Sequence, residues 1–142
     1  MVFRRIMATT DGSEASIRGV RVALEIVGRY QAEFVLLTVV PVPQSLALAS
    51  HMDEHVVNEY VEQVAQDGLR PALGALRDGG VGAEVKVVVG SPPEVILAEV
   101  AACRADLVVM GRRNWADVRE LVLGSVSNRV ARNITVPLLL VP

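Results

Sequence analysis

Residues 3–29, FRRIMATTDGSEASIRGVRVALEIVGR, change their hydrophobic period within one turn. Phe3 to Thr9 is a short apolar segment that stops at the turn-forming Asp11-Gly12-Ser13, which predicts a buried strand running into a helix start. Beyond the turn, Ile17, Val20, Leu24 and Val27 recur at spacings of three and four, while Arg18, Arg21, Glu25 and Arg29 face elsewhere. That is the pattern of an amphipathic helix, expected to end near Gly28 to Tyr30.

The same alternation continues along the chain. Glu33 to Val40 is a second apolar, β-branched run, closed by Pro41 and Pro43, which cannot continue a central ladder. After a connection up to about Met52, Val57, Val61, Val64, Leu69, Leu73 and Leu76 make a helical stripe from Asp53 to about Asp78, ended by Asp78-Gly79-Gly80. Glu84 to Val89 is the third strand, and Gly90-Ser91-Pro92 opens a helix through Val95, Ile96, Val100 and Cys103, with proline in the first turn. Leu107 to Met110 is the fourth strand, Ser125 to Asn133 a short helix, and Pro137 to Val141 the fifth strand. Strands alternating with helices imply an α/β fold, with right-handed crossovers placing helices on both faces of a parallel sheet. The expectation is one Rossmann-like domain over residues 1–142, a doubly wound five-stranded parallel sheet in the order 3-2-1-4-5. Ligands of such sheets bind beyond the strand C-terminal ends, where strand order reverses, so the loops after strands one and four are the candidates.

Hydrophobic residues make up 51% and charged residues 21%, a globular balance, and the apolar runs are far shorter than the 18 or so residues a membrane helix needs. Arg4 and Arg5 precede only Ile6 and Met7, too short for a signal peptide, so the expected location is cytoplasmic, with no membrane partner. Cys103 is the sole cysteine, which removes disulfide frameworks and cysteine-based zinc sites. The net charge of −2 is uneven: Arg112, Arg113, Arg119, Arg129 and Arg132 against Asp117 and Glu120 give +3 over residues 111–132 and leave −5 elsewhere. A positive site on a negative body suggests a small anion, and five arginines are too narrow a surface for nucleic acid.

Gly111 to Gly124 is fourteen residues long, where strand-to-helix connections usually have about 2–6. It leads into Ser125-Val126-Ser127 at a helix start, where free N–H groups and the positive dipole end favour phosphate. Gly124 permits close approach, Ser125 and Ser127 add hydroxyls, and Arg112 and Arg113 could supply charge-assisted bonds. The ordinary alternative is a capped helix with solvated arginines. His51 and His55, four apart, could share a metal on a helix but read better as solvated surface. Trp115 is expected to anchor the loop against the core, and Cys103 to be buried and inert.

The segments IMATTDGSEAS (6–16), GSPPEVILAEV (90–100), DLVVMGRR (106–113) and LGSVSNRVARNITVPLLLVP (123–142) resemble the universal stress protein family, and the resemblance spans the chain. Nucleotide-binding members carry glycine, two residues, glycine, nine residues, glycine, then serine or threonine. Here Gly111 is followed by Arg112 and Arg113, then Asn114, nine residues, Gly124 and Ser125, so the spacing is intact and asparagine replaces the second glycine. Asparagine tolerates φ > 0 better than other non-glycine residues, but its side chain would obstruct a phosphate that must meet bare backbone. The resemblance implies that Asp11 meets the ribose, that the Val39 main chain reads the adenine edge, and that Gly111, Gly124 and Ser125 line the ribose and phosphates; Thr10, Asn114, Val126 and Ser127 are cofactor-binding candidates beside them.

No G-x-x-x-x-G-K-[ST] sequence is present, and the only lysine is Lys86 in the third strand. A dedicated hydrolase is not expected, with slow ATP hydrolysis by a positioned water left open. The leading expectation is a regulatory binder of ATP or of ADP, AMP or cAMP, with or without Mg. The alternative is a nucleotide-free dimeric interaction protein of the same fold. The apolar fifth strand, Pro137 to Val141, should lie at a sheet edge and pair two copies into a homodimer.

Overall fold

The structure is a computed structural model that describes residues 2–42, 53–112 and 125–142. Strands β1 (Arg5–Thr9), β2 (Glu33–Val40), β3 (Glu84–Val89), β4 (Leu107–Gly111) and β5 (Leu138–Val141) form one sheet in the order β3-β2-β1-β4-β5. Every pairing is parallel, as the alternation of strands and helices requires. Helices α1 (Glu14–Tyr30) and α2 (Glu54–Gly79) cover one face; α3 (Pro92–Ala102) and α4 (Ser125–Asn133) cover the other.

The period of two sorts each strand between two cores. Ile6, Ala8, Phe34, Leu36, Leu107 and Val109 point towards α1 and α2, where they meet Val20, Ala23, Val27, Ala72 and Leu76. Met7, Val35, Leu37, Val108 and Met110 point the other way, onto Ile96, Val100, Cys103 and Val130. Leu36 and Leu37 are adjacent in sequence and both fully buried, one in each core. Burying each contributes on the order of 1.5–3 kcal/mol, and only a central strand covered on both faces allows it.

The strand boundaries shift by a residue or two from those expected, for local reasons. β1 starts at Arg5 rather than Phe3, because the Asp106 carboxylate accepts the main-chain N–H groups of Arg4 (2.8 Å) and Arg5 (3.1 Å) at the sheet's lower edge. Phe3 instead stacks edge-on against Tyr30 with ring centroids 5.3 Å apart. β5 starts at Leu138, since Pro137 contributes only its carbonyl, to Val108 N–H at 3.0 Å.

α2 corrects the apolar stripe expected of it. Its buried residues are Ala65, Gly68, Ala72 and Leu76, while Leu73 lies on the surface. The helix crosses the upper end of the sheet so closely that a Cβ on Gly68 would lie 2.7 Å from Thr38 Oγ1. Small residues therefore form the seam, Leu69 packs at its margin, and Val57, Val61 and Val64 are only partly buried.

Candidate functional site

β1 hands the chain to β2 on one side of it, while β4 and β5 lie on the other, so the strand order reverses between β1 and β4. A cavity of about 160 Å³ opens there beyond the strand C-terminal ends. At roughly 30 Å³ per water it has the volume of about five waters.

One wall is the polar turn after β1. Buried Thr10 donates its hydroxyl to Gly68 O (2.9 Å) and receives Gly12 N–H (3.2 Å). Asp11 Oδ1 accepts Ser13 N–H at 2.9 Å. Ser13 is the N-cap of α1 and accepts Ser16 N–H at 3.2 Å, while Ser16 Oγ donates to Ser13 O at 2.9 Å. The cap of α1 is thus Ser13, and the Asp11 carboxylate, two residues earlier, ties the turn that precedes it. Asp11 is exposed and lines the cavity.

A second wall is main chain. Thr10 N–H bonds Leu37 O at 2.9 Å, and Val40 O accepts Gly90 N–H at 3.0 Å, so alternation along β2 turns Val39 to the β1 side. β1 pairing ends at Thr9, and the Thr10 carbonyl accepts the Thr38 hydroxyl at 2.8 Å. Val39 therefore presents main-chain N–H and C=O past the last rung. Pro41, Pro92, Ile96 and Met110 complete an apolar slot beside it.

The third wall joins β4 to α4. Gly111 lines the cavity, and a Cβ there would overlap the Ala15 carbonyl of α1. The opposing Gly19 is also close, though less so, its would-be Cβ lying 3.0 Å from Gly111 N. Gly111 is thus required where the start of α1 rests on the end of β4, a packing role that its motif spacing does not reveal. Ser125, Val126 and Ser127 line the cavity from the first turn of α4, with Ser127 buried. The N–H groups of that first turn, at the positive end of the helix dipole, face this part of the site.

Thr10, Asp11, Val39, Gly111, Ser125, Val126 and Ser127 are therefore brought together. Arg112 is not among the lining residues; its main-chain N–H bonds Val141 O at 2.6 Å and extends the sheet edge. Arg113, Asn114, Trp115, Gly124 and His51 lie outside the described residues. His55 is exposed and paired with Glu59 at 3.2 Å. No group of three or more His, Cys, Asp or Glu suited to a metal occurs among the described residues. Ser13, Ser16, Pro41, Pro92, Ile96 and Met110 also line the site, and the sequence signals for them were ambiguous: the serines read as helix-start residues and the apolar ones as core.

The two resolved shifts in proton affinity belong to residues that do not line this cavity, Arg5 at the start of β1 and Lys86 on the edge strand β3. The Glu33 carboxylate, bonded to the Arg5 guanidinium, raises its pKa further, with Glu84 adding attraction. The Lys86 ammonium is held above its ordinary range by its hydrogen bond to Glu99, at 2.5 Å.

A polar turn, a strand end and a helix N-terminus thus meet at the strand-order reversal of an α/β protein, the place where open sheets of this kind hold their ligands. The chain belongs to the universal stress protein family, whose family model matches residues 2–142. It is 30% identical over 147 residues to Universal stress protein YxiE of Bacillus subtilis, with 99% of each chain covered. Its fold matches that of the hypothetical protein MJ0577 with a TM-score of 0.82, at 23% identity, covering 99% of this chain and 96% of that one. A universal stress protein in complex with cAMP matches with a TM-score of 0.71 at 24% identity, covering 100% and 98% of the two chains. One from Archaeoglobus fulgidus in complex with dAMP matches with a TM-score of 0.69 at 19% identity, with both chains covered in full. Among the described residues, no helix is long and apolar enough to cross a membrane.

Proposed function

We infer that this universal stress protein binds an adenine nucleotide as a regulatory ligand. The observation that carries this reading is the main-chain edge of Val39 beside the apolar slot of Pro41, Ile96 and Met110. An adenine has a donor next to an acceptor on its Watson–Crick edge. A strand residue with unclaimed C=O and N–H meets that pair in the manner of one more ladder rung, while the apolar slot takes the ring faces. Asp11 then accepts from a ribose hydroxyl, as a carboxylate does, and the phosphates extend to the N–H groups of Ser125, Val126 and Ser127. Gly124 and Arg113 complete the phosphate side on the family spacing. The cAMP and dAMP bound to relatives share the adenine base, which agrees with recognition centred on Val39.

The ligand is ATP, ADP, AMP or cAMP, with or without Mg. The role is regulatory rather than catalytic, because the only lysine, Lys86, is engaged by Glu99 and is not among the residues lining the cavity. The whole of residues 1–142 acts as one domain, in the cytoplasm, and pairs through β5 into a homodimer. β5 is an edge strand, uncharged, with Leu139 37% exposed.

Native mass spectrometry of freshly purified protein, with calorimetry against the four nucleotides, tests the inference. Co-purified or titratable adenine nucleotide is expected; none by either method refutes it. Asn114 supports a second reading, a nucleotide-free interaction protein whose site that side chain closes. If Asn114→Gly creates binding that the parent lacks, the second reading holds.

A further inference from the structure

The middle of α2 is locally weak, and the turn that lines the cavity is fastened to that point. Gly68, Pro71 and Gly74 fall in one short stretch of the 26-residue helix, and glycine and proline are the poorest residues for a helix interior. Pro71 has no N–H, so the Asp67 carbonyl lacks the donor that the helix would otherwise place four residues on. Gly12, at φ +83°, lies directly over that carbonyl: a Cβ there would be 2.5 Å from Asp67 O and 3.3 Å from Gly68 Cα. One residue along, Gly68 O accepts the Thr10 hydroxyl at 2.9 Å. The backbone of the ligand turn thus rests on the part of the helix where a hydrogen bond is missing, and the Thr10 side chain ties the turn to the next carbonyl along.

We propose that α2 bends at Gly68–Gly74 and that ligand at the Thr10–Ser13 turn holds the bend closed. Occupancy of the cavity then reaches the exposed outer face of α2, at Glu62, Gln66 and Arg70. The coupling runs through contacts already in place, since ordering the turn fixes Thr10 and Gly12, and these fix Gly68 and the Asp67 carbonyl. The ligand's identity rests on the adenine-nucleotide reading; the hinge does not.

Hydrogen exchange read by mass spectrometry on the full chain tests this, with and without saturating AMP or ATP and with calorimetry run on the same samples. Amides of residues 68–74 are expected to slow about tenfold or more on binding. Pro71→Ala gives the Asp67 carbonyl its missing donor. In that variant the same amides are expected to be slow without ligand, and the ligand-dependent difference should fall below about twofold while calorimetry still records binding. Binding by the parent with unchanged exchange at 68–74 overturns the hinge and leaves the nucleotide reading intact. No binding at all overturns the nucleotide reading and the ligand link with it. The fastening is then decided on ligand-free protein by Thr10→Val, which removes the bond to Gly68 O. Faster exchange at 68–74 supports it, and unchanged exchange overturns it.

Discussion

Replacing Gly111 with alanine inserts a methyl group where the atoms it meets cannot move aside. The new carbon would overlap the Ala15 carbonyl, and the Ser16 amide nitrogen lies 2.6 Å away, all of it backbone at the start of α1. A side chain could rotate out of such a contact, but a helix backbone can only translate, together with the Asp11–Ser13 turn it carries. Overpacking of this kind costs typically about 1–3 kcal/mol, and the backbone character of the contacts puts Gly111→Ala near the upper figure. For a chain of this size each kcal/mol lowers the melting temperature by roughly 2–4 °C, so a drop of roughly 6–12 °C is expected. Gly28→Ala is the matched control. A Cβ at Gly28 meets nothing within 4 Å, and alanine improves a helix by up to about 1 kcal/mol, so the same substitution there should raise the midpoint slightly. Thermal and urea unfolding of both variants give the answer. Equal midpoints for Gly111→Ala and the parent would refute the close approach of α1 to β4, and with it the packing role assigned to Gly111.

Two further perturbations address the two edge strands of the sheet, β3 and β5. Lys86 has its pKa raised in the folded state by Glu99, so its contribution to stability is fully present below the ordinary lysine value of 10.5 and is lost as pH rises through the higher folded value. The unfolding midpoints of the parent and Lys86→Met should therefore keep a constant separation below about pH 10 and converge above it; a separation independent of pH throughout would contradict the ion pair. Leu139→Arg places a charge on the outer edge strand and should convert a dimer to a monomer in sedimentation at micromolar concentration, and a monomeric parent would contradict pairing through β5.

How much of this was legible depended on the kind of signal each residue emits. The strands announced themselves because FVLLTVV and DLVVM are runs that only a doubly covered sheet can bury, and Glu33–Val40 and Glu84–Val89 fall at the boundaries their flanking turns indicate. α2 misled because its seam is made of Ala65, Gly68 and Ala72, and small residues carry little weight in a hydrophobic stripe. Their value lies in what they allow to approach, which is a property of the partner element and absent from local sequence. The polar half of the site was readable for the opposite reason: Asp11-Gly12-Ser13 and Ser125-Val126-Ser127 interrupt apolar runs at strand ends, where turn chemistry stands out. Pro41, Pro92, Ile96 and Met110 belong to the same cavity but follow the strand or helix pattern around them, and nothing in that pattern separates a residue lining a slot from one in a core.

That ambiguity has a physical basis, because the slot is the upper end of the second core left open. Ile96 and Met110 are buried members of the cluster that includes Met7, Leu37 and Val130, and they also line the cavity. Stability and affinity should therefore be coupled at Ile96 and separable at Asp11. Ile96→Ala removes buried methylenes and is expected to cost about 2–5 kcal/mol of stability together with nucleotide affinity. Asp11→Asn keeps an oxygen to accept Ser13 N–H, and so should cost less stability than Ile96→Ala while weakening binding through the lost carboxylate. Calorimetry and thermal unfolding on the two variants discriminate. If Asp11→Asn destabilises as much as Ile96→Ala, the carboxylate acts mainly on the fold, and its assignment to the ligand fails.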